Sequence, residues 1–294
     1  MYETIVVPVD GSEPATAAVE RGLSLVEAGD ATLSLLAVIE PSTAPRSAVF
    51  TNPTREALDE QTTAALENAE SRATDVGVDY QTSVRRGIPH EEIAAMVDDV
   101  GADLVVMGTH GRTGLDRLLL GSVTERTLRT SDVPVLTTRE SASVWSLDDI
   151  LVPTDGSEPA TEAVDHVLDV ADAYDASVHA LSVVDTQTLT AAYDAGAGMP
   201  AMVEAVKEDS RDVVEAVRDR ATNRDIDCES RVLEGSPGHA ITTYAEDEDV
   251  DLIAMGTHGR TGLSRLLLGS TTERTVRTSP APVLTIPETE RNST

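Results

Sequence analysis

Two glycine-rich segments of this sequence have the spacing of a backbone loop that binds phosphate. The pattern G-x2-G-x9-G-S occurs as Gly108, Gly111, Gly121 and Ser122, and again as Gly256, Gly259, Gly269 and Ser270. Glycine lets a backbone come close to a phosphate and adopt a positive φ. The last glycine of each segment opens a predicted helix, and a helix N-terminus attracts anions through its unpaired N–H groups. The spacing predicts an anion site, with tight turns alone as the alternative.

Hydroxyl and arginine side chains around these glycines support an anionic ligand. The hydroxyl donors are Ser122 and Thr124 in the first segment and Ser270, Thr271 and Thr272 in the second. The arginines are Arg112, Arg117, Arg126 and Arg129, then Arg260, Arg265, Arg274 and Arg277. Both segments are net positive although the chain carries a net charge of −30. The alternative is that some arginines form helix ion pairs, because Glu125 and Arg129 are four residues apart.

Two aspartates and two histidines are further candidates for the site. Asp10 and Asp155 end the first predicted strand of each half, at the edge where a doubly wound sheet binds its ligands. A carboxylate there can hold ribose hydroxyls, or it can cap the next helix, a role for which Ser12 competes. His110 and His258 lie within the glycine segments without a carboxylate nearby in sequence. We therefore predict a loop hydrogen bond for these histidines rather than catalysis.

Several catalytic patterns are absent from the sequence. A Walker A loop needs a lysine, and the single lysine, Lys207, falls in a predicted helix over 203–221. There is no nucleophile elbow and no His or Cys cluster with metal-ligand spacing. A lone cysteine, Cys228, excludes a disulfide within the chain. We therefore assign no catalytic residue and no metal-binding residue.

A duplicated domain must position the glycine segments. Residues 5–16 recur at 150–161, and residues 108–115 recur at 256–263. A repeat of this length is far above the periods of solenoid proteins and indicates domain duplication. We predict one domain over 1–140 and a second over 147–288, joined by a short polar link.

Strands and helices alternate within each predicted domain. In the first we predict strand 4–9, helix 13–29, strand 31–39, loop 40–54, helix 55–76, strand 78–85, helix 89–100, strand 102–107, loop 108–120, helix 121–130 and strand 133–138. Pro14 and Pro89 stand near helix starts, where proline is favoured. The alternation predicts a parallel sheet with helices on both faces. We place Pro8 and Pro153 at the exit of the first strand, where a missing N–H costs little.

Composition limits the partners and the compartment. The 294 residues include 52 acidic and 22 basic side chains. Self-repulsion at such a charge destabilises a compact state at low salt, so we expect a halophilic, acidic protein, with a mesophilic acidic protein as the alternative. The charge also argues against nucleic acid as a partner. Without a signal peptide or an apolar run of about 20 residues, a cytoplasmic protein with no membrane partner is expected.

The sequence resembles the universal stress protein family in its tandem-domain form, over nearly the whole chain. The resemblance is carried by residues 5–12, Gly87-Ile88-Pro89, the glycine segments and Pro134-Val135-Leu136, and the glycine spacing is that of the ATP-binding branch. It implies two α/β domains similar to adenine nucleotide alpha hydrolases. Each would have a five-stranded parallel sheet of order 3-2-1-4-5, with the nucleotide between the first and fourth strands. It also implies that strands 133–138 and 282–286 pair as an intramolecular pseudo-dimer, which leaves a homodimer of whole chains open.

By position, the resemblance also assigns nucleotide-binding residues. Asp10 and Asp155 would contact ribose, and Val38 and Val183 would meet adenine through their backbone. The other assigned residues are Pro8, Val9, Gly108, His110, Gly111, Arg112, Gly121, Ser122, Val123 and Thr124 in the first half, and Pro153, Thr154, Gly256, His258, Gly259, Arg260, Gly269, Ser270, Thr271 and Thr272 in the second.

These features together predict an ATP-binding stress-response module that senses nucleotide with little or no hydrolysis. The expected ligand is ATP, or else AMP or ADP, accompanied by Mg²⁺ or Mn²⁺ on the phosphates. One alternative is an interaction or scaffold protein whose anion site is vestigial. The other is a slow metal-dependent ATPase.

Overall fold

The computed structural model describes residues 2–29, 31–40, 52–111, 120–139, 145–186, 199–258 and 268–288. Contacts between residues divide the chain into two units, 2–145 and 146–294. None of the helices among the described residues is both long and apolar enough to cross a membrane. The pairing of strands 133–138 and 282–286 stays a prediction.

The described part of the first unit alternates strands and helices. Its elements are β1 Thr4–Val9, α1 Glu13–Gly29, β2 Thr32–Ile39, α2 Asn52–Val76, β3 Tyr80–Arg86, α3 Pro89–Val100, β4 Leu104–Gly108, α4 Ser122–Thr130 and β5 Val135–Thr138. Every strand pair is parallel, in the order β3-β2-β1-β4-β5. This confirms the predicted strand order of 3-2-1-4-5.

The second unit repeats the same order of elements. They are β6 Asp149–Pro153, α5 Glu158–Tyr174, β7 Ser177–Asp185, α6 Met199–Thr222, β8 Cys228–Gly235, α7 Pro237–Asp247, β9 Leu252–Gly256, α8 Ser270–Thr278 and β10 Val283–Ile286. Its strands are also parallel, in the order β8-β7-β6-β9-β10. Lys207 lies in α6, as predicted.

Aliphatic strands form the core of the first unit. Ile5, Leu35 and Leu104, on three neighbouring strands, have no exposed surface. Such continuous apolar strands are typical of parallel sheets covered on both faces. Helix α1 packs with α2, and α3 packs with α4. Because parallel crossovers are right-handed, the reversal of winding at β1 puts these two helix pairs on opposite faces of the sheet.

Two predicted boundaries were wrong in ways that matter for the site. Helix α2 begins at Asn52, within the predicted loop 40–54. Pro53 is tolerated there because the first turn of a helix leaves its N–H groups unpaired in any case. Gly108 belongs to β4, where it pairs with Thr138 of β5, rather than to the following loop. The first glycine of the segment is therefore held in the sheet.

The two prolines of the first strands mark where the central strands separate. Pro8 lies within β1 and pairs with Leu36 of β2, whereas the pairing of β1 with β4 ends at Val6. In the second unit the N–H of Thr154 donates to the carbonyl of Leu181 on β7 at 2.8 Å. Alternate residues of a strand face opposite neighbours, so Pro153 faces the β9 side, where the pairing has already ended at Leu151. The missing proline N–H leaves no gap in a ladder there.

Salt dependence of folding follows from the carboxylates on the surface. Arg224 pairs with Asp169 at 2.6 Å, but 22 basic residues cannot pair 52 acidic ones. We expect the midpoint of thermal unfolding to rise by roughly 10 °C between 0.1 M and 2 M KCl, about 3 kcal/mol for a domain of this size. The reason is that the Debye length falls from about 10 Å to about 3 Å by 1 M salt.

Circular dichroism during heating measures that midpoint. Sucrose is the control, because it stabilises proteins by exclusion from their surface without screening charge. A midpoint that does not change with KCl would contradict the halophilic interpretation.

Candidate functional site

A cavity of about 230 Å³ opens where β1 and β4 separate at the carboxyl end of the first sheet. Its walls come from the ends of β1, β2 and β4 and from the starts of α3 and α4. The predicted site residues that line it are Pro8, Val9, Asp10, Val38, Gly108, His110, Gly111, Gly121, Ser122, Val123 and Thr124. Arg112 lies outside the described residues. The structure thus brings the described members of the predicted set together, while their role as ligands of a nucleotide stays a prediction.

The turn after β1 fixes the carboxylate of Asp10. Gly11 has a φ of +80°, a conformation that favours glycine. The turn lets the backbone N–H and the hydroxyl of Ser12 donate to Asp10 Oδ1 at 2.9 and 2.6 Å. Ser12 Oγ in turn accepts from the N–H of Ala15 at 3.3 Å, so Ser12 rather than Asp10 caps α1. Asp10 orients that cap with one oxygen.

The other carboxylate oxygen of Asp10 faces the glycine segment. A Cβ added at Gly111 would lie 2.6 Å from Asp10 Oδ2. Because this distance is far inside van der Waals contact, a side chain at position 111 would displace the carboxylate. Gly111 therefore lets the loop after β4 approach the end of β1.

Gly108 serves helix packing. A Cβ at this position would lie 2.6 Å from Pro14 Cβ and 2.8 Å from the Pro14 carbonyl carbon. The first turn of α1 can cross the end of β4 only because residue 108 has no side chain. A positive φ, which the sequence suggested for such glycines, is not found here, and Gly121 has a φ of −66°. Gly108 and Gly121 are needed because the absence of a side chain lets neighbouring backbone come close to them.

Two hydrogen bonds fasten the start of α4 to the end of β4. The N–H of Gly121 donates to Thr109 O at 2.8 Å, and the hydroxyl of Thr124 donates to Gly108 O at 2.8 Å. Glu125 N–H donates to Gly121 O at 2.8 Å as the first bond of the helix. In this structure the Thr124 hydroxyl, predicted as a donor for a ligand, donates to the backbone instead, while the role of Thr124 in binding a nucleotide stays a prediction. The hydroxyl hydrogen is used within the protein, because a buried hydroxyl needs a partner.

The start of α4 presents N–H groups to the cavity. Gly121 is the N-cap residue and makes no side-chain cap hydrogen bond. The N–H groups of Ser122, Val123 and Thr124 precede the first intrahelical bond and have no acceptor within the helix. All three residues line the cavity. Such a helix start attracts anions.

His110 makes the predicted hydrogen bond within the loop. Its Nδ1 lies 3.2 Å from Thr109 Oγ1, and His258 Nδ1 lies 3.0 Å from Thr257 Oγ1 in the second unit. His258 Nε2 is buried and has no hydrogen-bond partner among the described residues. Buried polar atoms are nearly always hydrogen-bonded, so this nitrogen retains bonding capacity.

Two of the eight arginines take the alternative role foreseen from the sequence. Arg129 pairs with Glu125 at 2.6 Å and Arg277 with Glu273 at 3.6 Å, both four residues apart on a helix. Arg112, Arg117, Arg260 and Arg265 lie outside the described residues. Arg126 lies on α4 but does not line the cavity, so the positive charge that the described cavity wall of the first unit offers a ligand comes chiefly from the helix start.

The second unit repeats these contacts. Ser157 N–H donates to Asp155 Oδ1 at 3.0 Å after Gly156, whose φ is +76°. Gly269 N–H donates to Thr257 O at 2.9 Å, and Thr272 Oγ1 to Gly256 O at 2.9 Å. The other predicted residues lie at corresponding positions, namely Pro153 and Thr154 at the end of β6, Val183 on β7, and Ser270 and Thr271 at the start of α8. Gly259 lies outside the described residues, as Arg260 does.

Sequence reasoning missed part of the cavity wall. Leu36, Glu40, Pro89, Ile93 and Met107 line it but were not predicted. The signal that could have found Glu40 is its place directly after β2, since ligands of such sheets lie at the carboxyl ends of strands. No group of three His, Cys, Asp or Glu side chains that could hold a metal occurs among the described residues.

The geometry defines a class of α/β proteins whose ligand site lies at the switch point of a doubly wound parallel sheet. The model of the Universal stress protein family matches residues 1–139 and 147–287. The chain therefore belongs to the universal stress protein family.

Comparisons with individual proteins agree with this assignment. A universal stress protein of Methanocaldococcus jannaschii is 36% identical over 143 residues, which cover 47% of this chain and 80% of that protein. One of Mycolicibacterium smegmatis is 26% identical over 293 residues, or 96% of each chain. The crystal structure of a universal stress protein from Archaeoglobus fulgidus, 23% identical, covers 98% of this chain and 97% of its own with a TM-score of 0.75, and it shows the same fold.

The two units differ in how tightly α1 and α5 press on the strand glycine, which gives a matched pair of variants. A Cβ at Gly256 would lie 3.2 Å from its nearest neighbour, Pro159 O, against 2.6 Å at Gly108. We expect Gly108→Ala to lower the free energy of unfolding of its unit by about 2 kcal/mol, as overpacking does. Gly256→Ala should cost less than about 1 kcal/mol.

Urea unfolding in 2 M KCl measures both free energies, because urea does not alter the ionic strength. The single tryptophan, Trp145, stacks over Arg21 at 4.8 Å and so reports the first unit by fluorescence. Circular dichroism follows both units. If the two variants lose the same free energy of unfolding, the distance between the helix and the strand is not the reason that glycine is needed at these positions.

Proposed function

We propose that this protein is an ATP-binding universal stress protein, which senses adenine nucleotide with little or no hydrolysis. The observation that carries the proposal is the cavity between the ends of β1 and β4. It has an N–H-rich helix start on one side and the fixed carboxylate of Asp10 nearby. We place its work in the cytoplasm, where adenine nucleotides are plentiful.

The phosphates are proposed to lie at the start of α4. There the backbone N–H groups of Ser122, Val123 and Thr124 point away from the helix, and the exposed hydroxyl of Ser122 stands beside them. No acidic residue occurs from Gly121 to Thr124. This arrangement holds an anion without lysine and without the net charge of the protein being positive.

The ribose is proposed to contact Asp10. Its Oδ1 is fixed by Ser12, and its Oδ2 faces Gly111 across the cavity. A carboxylate accepts hydrogen bonds from the two ribose hydroxyls, and its fixed orientation lowers the entropy lost on binding. Val38 follows on the neighbouring strand β2, at the position proposed to meet adenine through its backbone.

Slow or absent hydrolysis is proposed because Asp10 is assigned to the ribose and His110 to a hydrogen bond within the loop, which leaves no residue assigned as a general base. His110 Nδ1 contacts Thr109, and one oxygen of Asp10 holds Ser12. A general base must reach the attacking water with a vacant acceptor. Mg²⁺ or Mn²⁺ would enter with the triphosphate and would be held by the phosphates.

The second unit is proposed to bind a second nucleotide. Asp155, Val183, Gly256, Gly269 and Thr272 hold the positions of their counterparts in the first unit. The buried Nε2 of His258, which has no partner among the described residues, would there gain an acceptor from the ligand. Two nucleotides per chain are expected.

A glycine variant tests whether the cavity binds ATP. We expect calorimetry in 2 M KCl to give two ATP per chain for the wild type. Gly111→Ala should weaken the first site by at least about tenfold, equivalent to about 1.4 kcal/mol, because the added Cβ would lie 2.6 Å from Asp10 Oδ2. Gly29→Ala is the matched control, since nothing lies within 4 Å of a Cβ there.

The outcomes separate the proposal from its first alternative. Wild-type protein that is folded but binds no ATP would contradict the proposal and favour an interaction protein with a vestigial site. Equal weakening by Gly29→Ala would show that the loss is not local to the cavity.

Phosphate release distinguishes a sensor from an ATPase. With ATP and either Mg²⁺ or Mn²⁺ we expect less than about one turnover per chain per hour, far below the ~10 s⁻¹ that is typical of enzymes. Steady turnover that His110→Ala or Asp10→Ala removes would instead establish the slow metal-dependent ATPase.

A further inference from the structure

The cavity has two chemically different ends. Strands β2 and β4 lie on opposite sides of β1. The β4 side carries the glycine segment and the start of α4, whereas the β2 side is walled by residues of β2 and α3. A nucleotide whose phosphates lie at α4 and whose ribose lies at Asp10 must therefore place its base on the β2 side.

The β2 side is an apolar slot. Leu36 and Val38 come from β2, and Pro89 and Ile93 come from the start of α3. Leu36 and Ile93 are almost fully buried, with 0% and 2% of their surface exposed. Such walls suit a flat heteroaromatic ring, but apolar contact alone does not tell one purine from another. Identity needs polar groups at fixed positions.

Glu40 is the one charged side chain among the described residues that line this side of the cavity. It follows Ile39, the last residue of β2, and is exposed at the rim. Glu40 therefore lies at the base end of the cavity, away from the phosphate end. The oxygens of a carboxylate accept hydrogen bonds and donate none, so Glu40 suits a base that presents a donor there.

We infer that Glu40 determines base specificity by selecting a purine with a 6-amino group over one with a 6-oxo group, an inference that rests on the proposed function. The exocyclic amine of adenine is a donor, which a carboxylate accepts in a charge-assisted hydrogen bond. Hypoxanthine and guanine carry an oxygen at the same place. Two acceptors facing each other repel, so the site discriminates by penalty as well as by attraction.

The second unit has a shorter acidic residue, Asp185, at the position that corresponds to Glu40. Leu36 pairs with Pro8, and Leu181 pairs with Pro153. Four residues further along each strand stand Glu40 and Asp185. Aspartate is shorter than glutamate by one methylene, so the second site discriminates less strongly between the two purines.

ATP and ITP are the probes, because their bases differ only at position 6 and in the linked proton at N1. Calorimetry in 2 M KCl should show that the wild type binds ATP at least about tenfold more tightly than ITP. The double variant Glu40→Gln/Asp185→Asn should bring the two affinities within about threefold of each other. An amide can rotate to present either a donor or an acceptor, so ATP binding itself is retained.

The single variants assign the effect to each site, with the larger loss of discrimination expected for Glu40→Gln. Glu27→Gln, at an exposed position near the end of α1, is the matched control and should leave the ATP-to-ITP ratio unchanged. Wild-type protein that binds both nucleotides equally, or a double variant that keeps the wild-type ratio, overturns the inference while ATP binding stands. Wild-type protein that binds neither nucleotide overturns the proposed function, and the inference with it.

Discussion

The attachment of a helix start to the end of a central strand is the constraint on which the site depends. Gly121 N–H and the Thr124 hydroxyl bond back to the carbonyls of Thr109 and Gly108. These bonds satisfy buried polar groups that would otherwise be costly. They also hold the first N–H groups of α4 toward the space that β1 and β4 leave as they separate. A polar requirement of folding therefore creates an anion-attracting surface at the carboxyl end of the sheet.

Glycines make this arrangement possible because they leave room for two different neighbours. Gly108 leaves room for α1 on one face of the sheet, and Gly111 leaves room for the carboxylate of Asp10. Gly11 alone of these three needs its positive φ, which turns the chain so that Ser12 can bond back to Asp10. The second unit meets the same constraint with slightly more space around Gly256. A glycine required for helix packing, Gly108, and a glycine that leaves space beside the Asp10 carboxylate, Gly111, thus lie only three residues apart.

An anion site in a chain with a net charge of −30 depends on local rather than global electrostatics. The field at a helix start falls off within about one turn, and high salt screens the distant carboxylates more than the groups in direct contact with a ligand. Ion pairs such as Arg129 with Glu125 withdraw part of the arginine charge from the loop. Backbone N–H groups cannot be neutralised in this way, so they are the dependable source of attraction.

The sequence by itself determined the domain duplication, the alternation of strands and helices and the position of the glycine segments, and its resemblance to the universal stress protein family implied the strand order. Strand and helix periodicity, the repeat of residues 5–16 at 150–161 and the G-x2-G-x9-G-S spacing are local patterns in the chain. Only the tertiary structure decided what each residue does. Thr124 was expected to offer its hydroxyl to a ligand, yet it bonds to Gly108 O, and Gly108 proved to be a contact for Pro14. Glu40 and Ile93 joined the cavity wall from elements far apart in sequence. Spacing along a chain fixes neighbours within one element, whereas contacts between elements depend on the distances and directions that packing sets.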